Sequence, residues 1–433
     1  MKEKLSKLGI NSTTPSAVNQ LTTEFAEDFR EGTDINLGVG YVNDKTIPAD
    51  AILQAFQHII KQPEKYRNAL NYGGSEGSPN LRRSIKNYYL KYAIGELSQS
   101  DFEDRRIVIG ANGATSLLDS LSDLFEPGIV ITADPFYYIF TETLERKGYE
   151  ILPIAEDNRG IIITELEKAI ESVDIEKISF FYIVTVNNPS TVILSNDRRK
   201  AIVKLAQKLS EKTGKIIPVI FDKAYEDIIH NPAIPNPVSG IKYDKLEQVY
   251  EIGTLSKIIA PALRIGYAIC PDKNIAKILI QRTSDIGFSA PLINQEISSW
   301  LLDNYIEKQK VKVNKGYQEK STFIKKLFKE HLSEYIESYS GGDAAFYFYI
   351  TLKNIPTDRD SDFFKFLSRT TETPEIDGVK EKNPRLVYIP GTICSKEPQA
   401  RYQLRISYGF EENEVFVRAV KLIAEACRYS IQK

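Results

Sequence analysis

Between about residues 107 and 270 the chain alternates short apolar runs of strand length with amphipathic runs of helical period. Residues 107–109 read as a strand, followed by a glycine turn and a helical run over 114–125. A strand at 129–132 leads to a helix over 138–147, and 150–152 resumes the strand pattern. Strands at 178–185, 216–221, 248–252 and 263–270, with a helix over 197–209, continue the series. Strands that alternate with helices are joined by crossovers, so this part predicts a mostly parallel sheet covered on both faces: an α/β fold with three layers. After residue 294 the chain turns helical and charged through about 332. Strand candidates at 346–352 and 404–406, with helices between and after them, then predict a smaller α+β domain. The first 50 residues lack the alternation and are expected to pack with that smaller part. The expected organisation is therefore an N-terminal segment (1–50), a large domain (51–320) and a small C-terminal domain (321–433), without repeats, low-complexity tracts or long linkers.

Length agrees with this division, since 433 residues exceed one typical core. With 42% apolar residues, 26% charged residues and a formal net charge of -2, the chain advertises no basic surface for nucleic acid or anionic membrane, and a small-molecule ligand is expected. Cys270, Cys394 and Cys427 are odd in number and widely spaced in apolar surroundings, which points to buried thiols in a reducing compartment. The start, Met1-Lys2-Glu3-Lys4, leads into no apolar leader, and no run of about 18 apolar residues occurs. A cytoplasmic protein is expected. His58, His230 and His331 show none of the paired spacings of zinc sites, so neither a metal site nor a Ser-His-Asp hydrolase is indicated.

In an open parallel sheet ligands bind beyond the carboxyl ends of the strands, and the residues at those ends are complementary here. After the first strand candidate comes Gly110-Ala111-Asn112-Gly113-Ala114-Thr115, a small-residue turn opening a helix, where free N–H groups and the helix dipole favour a phosphate. The next end carries Asp134-Pro135-Phe136-Tyr137, with an aromatic face for a planar ring. Asn187-Asn188-Pro189-Ser190 follows the third, offering an amide to a phenolate oxygen. Asp222 and Tyr225 follow the fourth, and an aspartate entering an apolar site calls for a cationic partner such as a protonated pyridine nitrogen. Last comes Gly253-Thr254-Leu255-Ser256-Lys257, with Pro261 and Arg264 beyond it. A lysine held between two apolar strands can form a Schiff base, and the neighbouring hydroxyls and guanidinium suit a phosphate. Singly, each reads as an ordinary turn or core residue. In order they supply the parts of one ligand, pyridoxal 5'-phosphate.

With these residues in place, the chain resembles the class I/II aminotransferases, fold type I of the pyridoxal phosphate enzymes, over about residues 36–427. The anchor GTLSKIIAPALRIGY is most similar to the branch containing 2-aminoadipate and kynurenine aminotransferases and the aminotransferase halves of MocR-type regulators. The resemblance implies transfer of the amino group of an L-amino acid to a 2-oxo acid, with Lys257 forming the internal aldimine and then moving the proton. It implies that Asp222 keeps the pyridine nitrogen protonated, that Asn188 and Tyr225 bind the phenolic oxygen, and that Tyr137 stacks on the ring. Gly113, Ala114, Thr115, Thr254, Ser256 and Arg264 are implied on the phosphate. Tyr72, within Asn71-Tyr72-Gly73-Gly74-Ser75-Glu76-Gly77, is similar to a tyrosine that reaches the neighbouring subunit's phosphate, implying a homodimer with shared sites. Arg405, in Leu404-Arg405-Ile406-Ser407-Tyr408, is similar to the arginine that grips the substrate α-carboxylate, with Asn188 beside it. Gly38, Val39 and Gly40 resemble the N-terminal loop on the substrate side.

Two departures qualify the resemblance. The family's Asn-Pro-Thr-Gly is here Asn188-Pro189-Ser190-Thr191, without the glycine of a tight turn. That keeps open a second outcome, a lyase or an oxidative or cyclising enzyme of the same fold. No second arginine for a dicarboxylate is in register, Arg282 being nearest. A MocR-type regulator is disfavoured, because only about 35 residues precede the first family match. The aromatic run Phe346-Tyr347-Phe348-Tyr349 alternates across a strand, so half of it is expected in the core and half is open to a substrate pocket.

Overall fold

A computed structural model describes residues 4–66, 68–379 and 383–433. Its strands are β1 (Ile35–Asn36), β2 (Arg106–Ile109), β3 (Ile129–Asp134), β4 (Glu150–Asp157), β5 (Gly160–Ile161), β6 (Ile178–Val184), β7 (Val219–Asp222), β8 (Val249–Thr254), β9 (Gly266–Cys270), β10 (Ile336–Gly341), β11 (Tyr347–Leu352), β12 (Leu386–Val387), β13 (Ile389–Pro390) and β14 (Gln403–Ser407). The large sheet has eight strands in the order β2-β9-β8-β7-β6-β3-β4-β5. Every pair from β8 through β4 is parallel, whereas β9 runs antiparallel to both β2 and β8. The central strands are buried on both faces, as the apolar run over 180–184 in β6 shows, and for that reason they lack a period of two. Helices Gly113–Leu124, Tyr138–Lys147 and Asn196–Thr213 connect them, two of the three ending in a left-handed glycine, Gly148 and Gly214. The expected three-layer α/β fold is the one observed.

The differences from the sequence reading have local causes. Strand β9 starts at Gly266 rather than at 263, because Pro261–Leu263 forms a 3-10 turn and Arg264 takes a left-handed φ of 57°. The helical tract after 294 is two helices, Leu292–Asn304 and Ile306–His331, broken at Tyr305. Strand β10 escaped the reading because it is a polar, partly exposed edge strand, IESYSG, with no apolar run.

The smaller sheet has the order β10-β11-β14-β13 and is wholly antiparallel. Its register sets Tyr349 opposite Arg405 and Tyr347 opposite Ser407, so Tyr347, Tyr349 and Arg405 share one face. Strand β1 pairs with β12, and the ladder continues as Leu37 N–H donates to Val387 O and Ser407 N–H to Leu37 O. This pairing carries the segment 38–40 onto that face.

Beside the end of β7 lies a buried set of four charges. Lys223 Nζ is 2.8 Å from Glu251 and 3.3 Å from Glu226, and Arg199 is 2.8 Å from Glu226. The Ser239 hydroxyl and the Gly240 N–H donate to the other Glu251 oxygen. These bonds pin the segment that follows Asp222 against β8. All three cysteines are free and buried, and no helix among the described residues is long and apolar enough to cross a membrane.

Removing Glu251 leaves Lys223 with Glu226 alone and strips the Ser239 hydroxyl and Gly240 N–H of their acceptor. Glu251→Ala is expected to destabilise the protein by about 3 kcal/mol, read from the urea midpoint, the usual scale for breaking a buried pair.

Candidate active site

Five strand ends meet at the carboxyl edge of the large sheet. The antiparallel return of β9 makes this possible: Thr254 pairs with Gly266, so the intervening loop projects from that edge with Lys257 on it. A cavity of about 140 Å³ lies there, and Lys257, Asp222, Asn188, Tyr137, Tyr225 and Arg264 are among the residues lining it. Larger clefts exist, including one at the opposite edge of the sheet around Pro127, Lys177 and Pro218, but it lacks these convergent groups.

One end of the cavity is built for an anion. Helix Gly113–Leu124 begins there with no side-chain cap, leaving the first-turn N–H groups of Ala114 and Thr115 toward the cavity. Gly113 has φ +70°, and a Cβ on it would lie 2.8 Å from Arg264 Nη2. A Cβ on Gly266 would lie 2.2 Å from Ala114 N and 2.3 Å from Gly113 C, so strand and helix touch backbone to backbone. The Thr254 hydroxyl donates to Ile265 O at 2.8 Å and is 3.0 Å from Ser256 Oγ. Arg264 is oriented by Asn112, whose Oδ1 accepts from Nε at 2.6 Å.

At the other end stands Asp222, 5% exposed. One of its oxygens accepts from the Tyr182 hydroxyl at 2.9 Å and the other from Ala224 N–H at 3.0 Å. Burial pushes its pKa up, against the hydrogen bond from Tyr182. Lys257 Nζ donates to Gly40 O at 3.2 Å and lies 5.6 Å from the Tyr225 ring and 5.7 Å from that of Phe346. Burial, with smaller contributions from Arg405 and Arg264, brings its pKa down to about 8. An amine so placed is still mostly protonated at pH 7, but its neutral, nucleophilic fraction, roughly a tenth, far exceeds that of an ordinary lysine.

Arg405 is 2% exposed. It donates through Nη1 to Asn188 Oδ1 at 2.9 Å and through Nη2 to Gly38 O, while its buried Nε has no partner. Its guanidinium carbon lies 4.5 Å from the centroid of Tyr347 and 5.8 Å from that of Tyr138. Among the described residues, Lys257, Arg264, Arg405 and Asp222 form no salt bridge. Lys257, Arg264 and Asp222 thus line the cavity and Arg405 stands behind its Asn188 wall, none of them in a salt bridge, although buried charges such as Asp222 and Arg405 are ordinarily paired.

Of the residues singled out in the sequence, Gly113, Ala114, Thr115, Tyr137, Asn188, Asp222, Tyr225, Thr254, Ser256, Lys257, Arg264 and Arg405 converge here. Gly38 and Gly40 join them through their carbonyls, and the Val39 N–H is held by Asn36 Oδ1 at 3.2 Å. Tyr72 does not: it is 85% exposed, against Phe288 on the surface. Arg282 pairs with Asp123 on the surface. The turn without its glycine is nevertheless made, Thr191 taking φ +55°. The sequence reading missed Tyr182, hidden in an apolar run, and Tyr347, whose only signal was the alternating aromatic pattern.

A family model described as aminotransferase class I and II matches residues 33–415. A Bacillus subtilis protein named as the HTH-type transcriptional regulator YisV is 25% identical, the match covering 91% of this chain and 74% of that one. Aromatic-amino-acid aminotransferase 1 of Thermococcus litoralis is 22% identical over 92% of this chain and 89% of its own. The crystal structure of Pyrococcus horikoshii kynurenine aminotransferase superposes with a TM-score of 0.82 at 22% identity, covering 98% and 97% of the two chains, a likeness of fold.

The lowered pKa of Lys257 makes a prediction for the cofactor-free protein. Its modification by an aldehyde, trapped with borohydride and read by peptide mass spectrometry, is expected to rise with pH through about 8 and level off above. Arg405→Ala removes a neighbouring positive charge, which disfavours the ammonium form, so that variant moves the midpoint upward.

Proposed function

The chain belongs to the class I and II aminotransferase family, pyridoxal phosphate-dependent enzymes, and we propose that it transfers the amino group of an L-amino acid to a 2-oxo acid at the cavity around Lys257. The observation that carries this assignment of the site is the set of unpaired charges. They fit the cofactor and substrate in kind and order: Arg264 with the helix N-terminus for a phosphate, Asp222 for a ring cation, Arg405 for a carboxylate and Lys257 for a carbonyl.

Bound there, pyridoxal phosphate supplies an aldehyde that joins amines reversibly and a ring that accepts the electron pair left when a substrate proton departs. The phosphate would be held by Ala114 and Thr115 N–H, the Thr254 and Ser256 hydroxyls and Arg264. Tyr137 would cover the ring face. Asn188 uses its Oδ1 on Arg405, which leaves its amide N–H groups, with the Tyr225 hydroxyl, to donate to the phenolic oxygen. Asp222 would keep a proton on the ring nitrogen, its own orientation fixed by Tyr182 and Ala224.

The Lys257 amine would form the bond to the cofactor and, once displaced by the incoming amine, take the proton from the substrate α-carbon. Arg405 would hold the α-carboxylate, exchanging its contact with Gly38 O for the substrate. The Gly38–Gly40 loop would close that side against water. The same proposal includes a body of residues 51–320 that carries the cofactor groups, with Arg405 and the loop brought by residues 1–50 and 321–433. A homodimer is also part of it: Tyr72, free of its own cavity, would reach the partner's phosphate. Arg282 is engaged on the surface, so amino acids with a single carboxylate are the favoured donors.

The purified protein is expected to show a cofactor absorbance band that borohydride fixes covalently to Lys257, a fixation that Lys257→Ala abolishes. An amino donor alone should convert that band to the amino form of the cofactor without release of ammonia. Ammonia release without that form overturns transamination. Arg405→Ala is expected to raise the donor KM about a hundredfold, the loss of a buried charge-assisted pair.

A further inference from the structure

Strand β11 places Tyr347, 1% exposed, behind the cavity wall that Tyr225 forms and against Arg405. Its ring covers the Arg405 guanidinium, 4.5 Å from centroid to carbon. Its hydroxyl is 3.0 Å from that of Tyr225. The same hydroxyl lies against the loop: a Cβ built on Gly40 would stand 2.4 Å from Tyr347 Oη and 3.5 Å from its Cζ. Gly40 is in turn the residue whose carbonyl accepts from Lys257 Nζ. Resting on the roles of Lys257 and Arg405 proposed above, we infer that Tyr347 is a positioning residue that locks the carboxylate arginine, the phenol of Tyr225 and the N-terminal loop into one unit.

Each contact has a separate chemical consequence. The ring face holds the planar guanidinium by cation–π attraction in a dry site, so Arg405 keeps its fork aimed while its Nε is unpaired. The hydroxyl pair is directional. Tyr225 has one phenolic hydrogen, and if that hydrogen goes to the cofactor oxygen, Tyr347 must be the donor between the two phenols. A donated bond to Tyr225 oxygen polarises its O–H and strengthens its own donation. Finally, the missing side chain at residue 40 is the space the Tyr347 hydroxyl fills, so the glycine and the tyrosine are matched in volume.

The test separates these contacts. With pyridoxal phosphate bound, Tyr347→Phe is expected to raise the pH midpoint of the cofactor absorbance by about half a unit or more, the size of one weakened hydrogen bond. Half-saturation by propionate, a carboxylate with no amine to react, should stay within about twofold, because the ring remains on Arg405. Tyr347→Leu removes the ring as well and is expected to raise that half-saturation about fivefold. In cofactor-free protein, Gly40→Ala should lower the melting midpoint by several degrees, about what an overpacked core site costs. Adding Tyr347→Phe should recover at least half of that loss, since the nearest ring carbon then stands at 3.5 Å. A midpoint unmoved in Tyr347→Phe, or a Gly40→Ala loss that Tyr347→Phe leaves intact, overturns the inference. A wild-type band that is absent, or that borohydride does not fix to Lys257, refutes the cofactor reading itself, so the two failures are distinguishable.

Discussion

The contact on which the site depends is that of Gly266 with the first turn of helix Gly113–Leu124. A side chain at 266 would collide with main-chain atoms of Gly113 and Ala114, which cannot turn aside as a flexible side chain can. Because the contact is bare, β9 runs back against β8 at the edge where the helix begins. The lysine loop therefore leaves and re-enters the sheet beside the anion-binding N–H groups. Gly113 contributes a second bare position, which admits the Arg264 guanidinium. The missing side chains thus place a covalent group and a phosphate cradle within one small cavity.

The second constraint is electrostatic. Taking a charge out of water costs several kcal/mol, on the order of the whole stability margin of a domain, unless a partner compensates. Around this cavity the compensation is incomplete by design of position. Asp222 keeps two hydrogen bonds but no cation, and Arg405 keeps an unpaired Nε and two carbonyl-type acceptors. The main-chain oxygens of Gly38 and Gly40 accept from Arg405 and Lys257, groups that a substrate carboxylate and a carbonyl would also engage. Neutral acceptors satisfy the donors without cancelling the charges, so a ligand carrying formal charge has an advantage over them. The buried quartet of Lys223, Glu226, Glu251 and Arg199 is the contrasting case, its charges ion-paired among themselves.

Much of this was legible in the sequence because the large sheet writes itself in period: apolar runs separated by amphipathic helices gave nearly every strand within a few residues. The strand-end rule then collected Thr115, Tyr137, Asn188, Asp222 and Lys257 without knowing their distances. What stayed hidden is what depends on register or on the other sheet. Tyr182 reads as one more apolar residue in ISFFYIV, and only the alignment of Val184 with Asp222 reveals that its hydroxyl reaches the carboxylate. Tyr347 lies in an alternating aromatic strand, and its importance appears only when β11 pairs with β14 and sets it diagonal to Arg405. Strand β10 is too polar to declare itself, although it completes the smaller sheet.

The Asn188-Pro189-Ser190-Thr191 turn shows why a departure in sequence is not by itself a departure in geometry. A β-branched residue at φ +55° is unfavourable by about 1–2 kcal/mol, and the buried Thr191 hydroxyl also lacks a partner. The conformation is held by bonds on both sides. Thr191 N–H donates to Asn187 O at 2.7 Å, Asn187 N–H to Val192 O at 2.9 Å, and the Ser340 hydroxyl to Ser190 O at 2.7 Å. Strand β10 thus clamps from the smaller sheet a turn that glycine would have adopted unaided. Asn188 stays 2.9 Å from Arg405, bridging the groups proposed for cofactor and substrate. The substitution therefore changes how the turn is maintained while leaving its amide in place, and the turn offers no geometric reason to assign the site a different reaction.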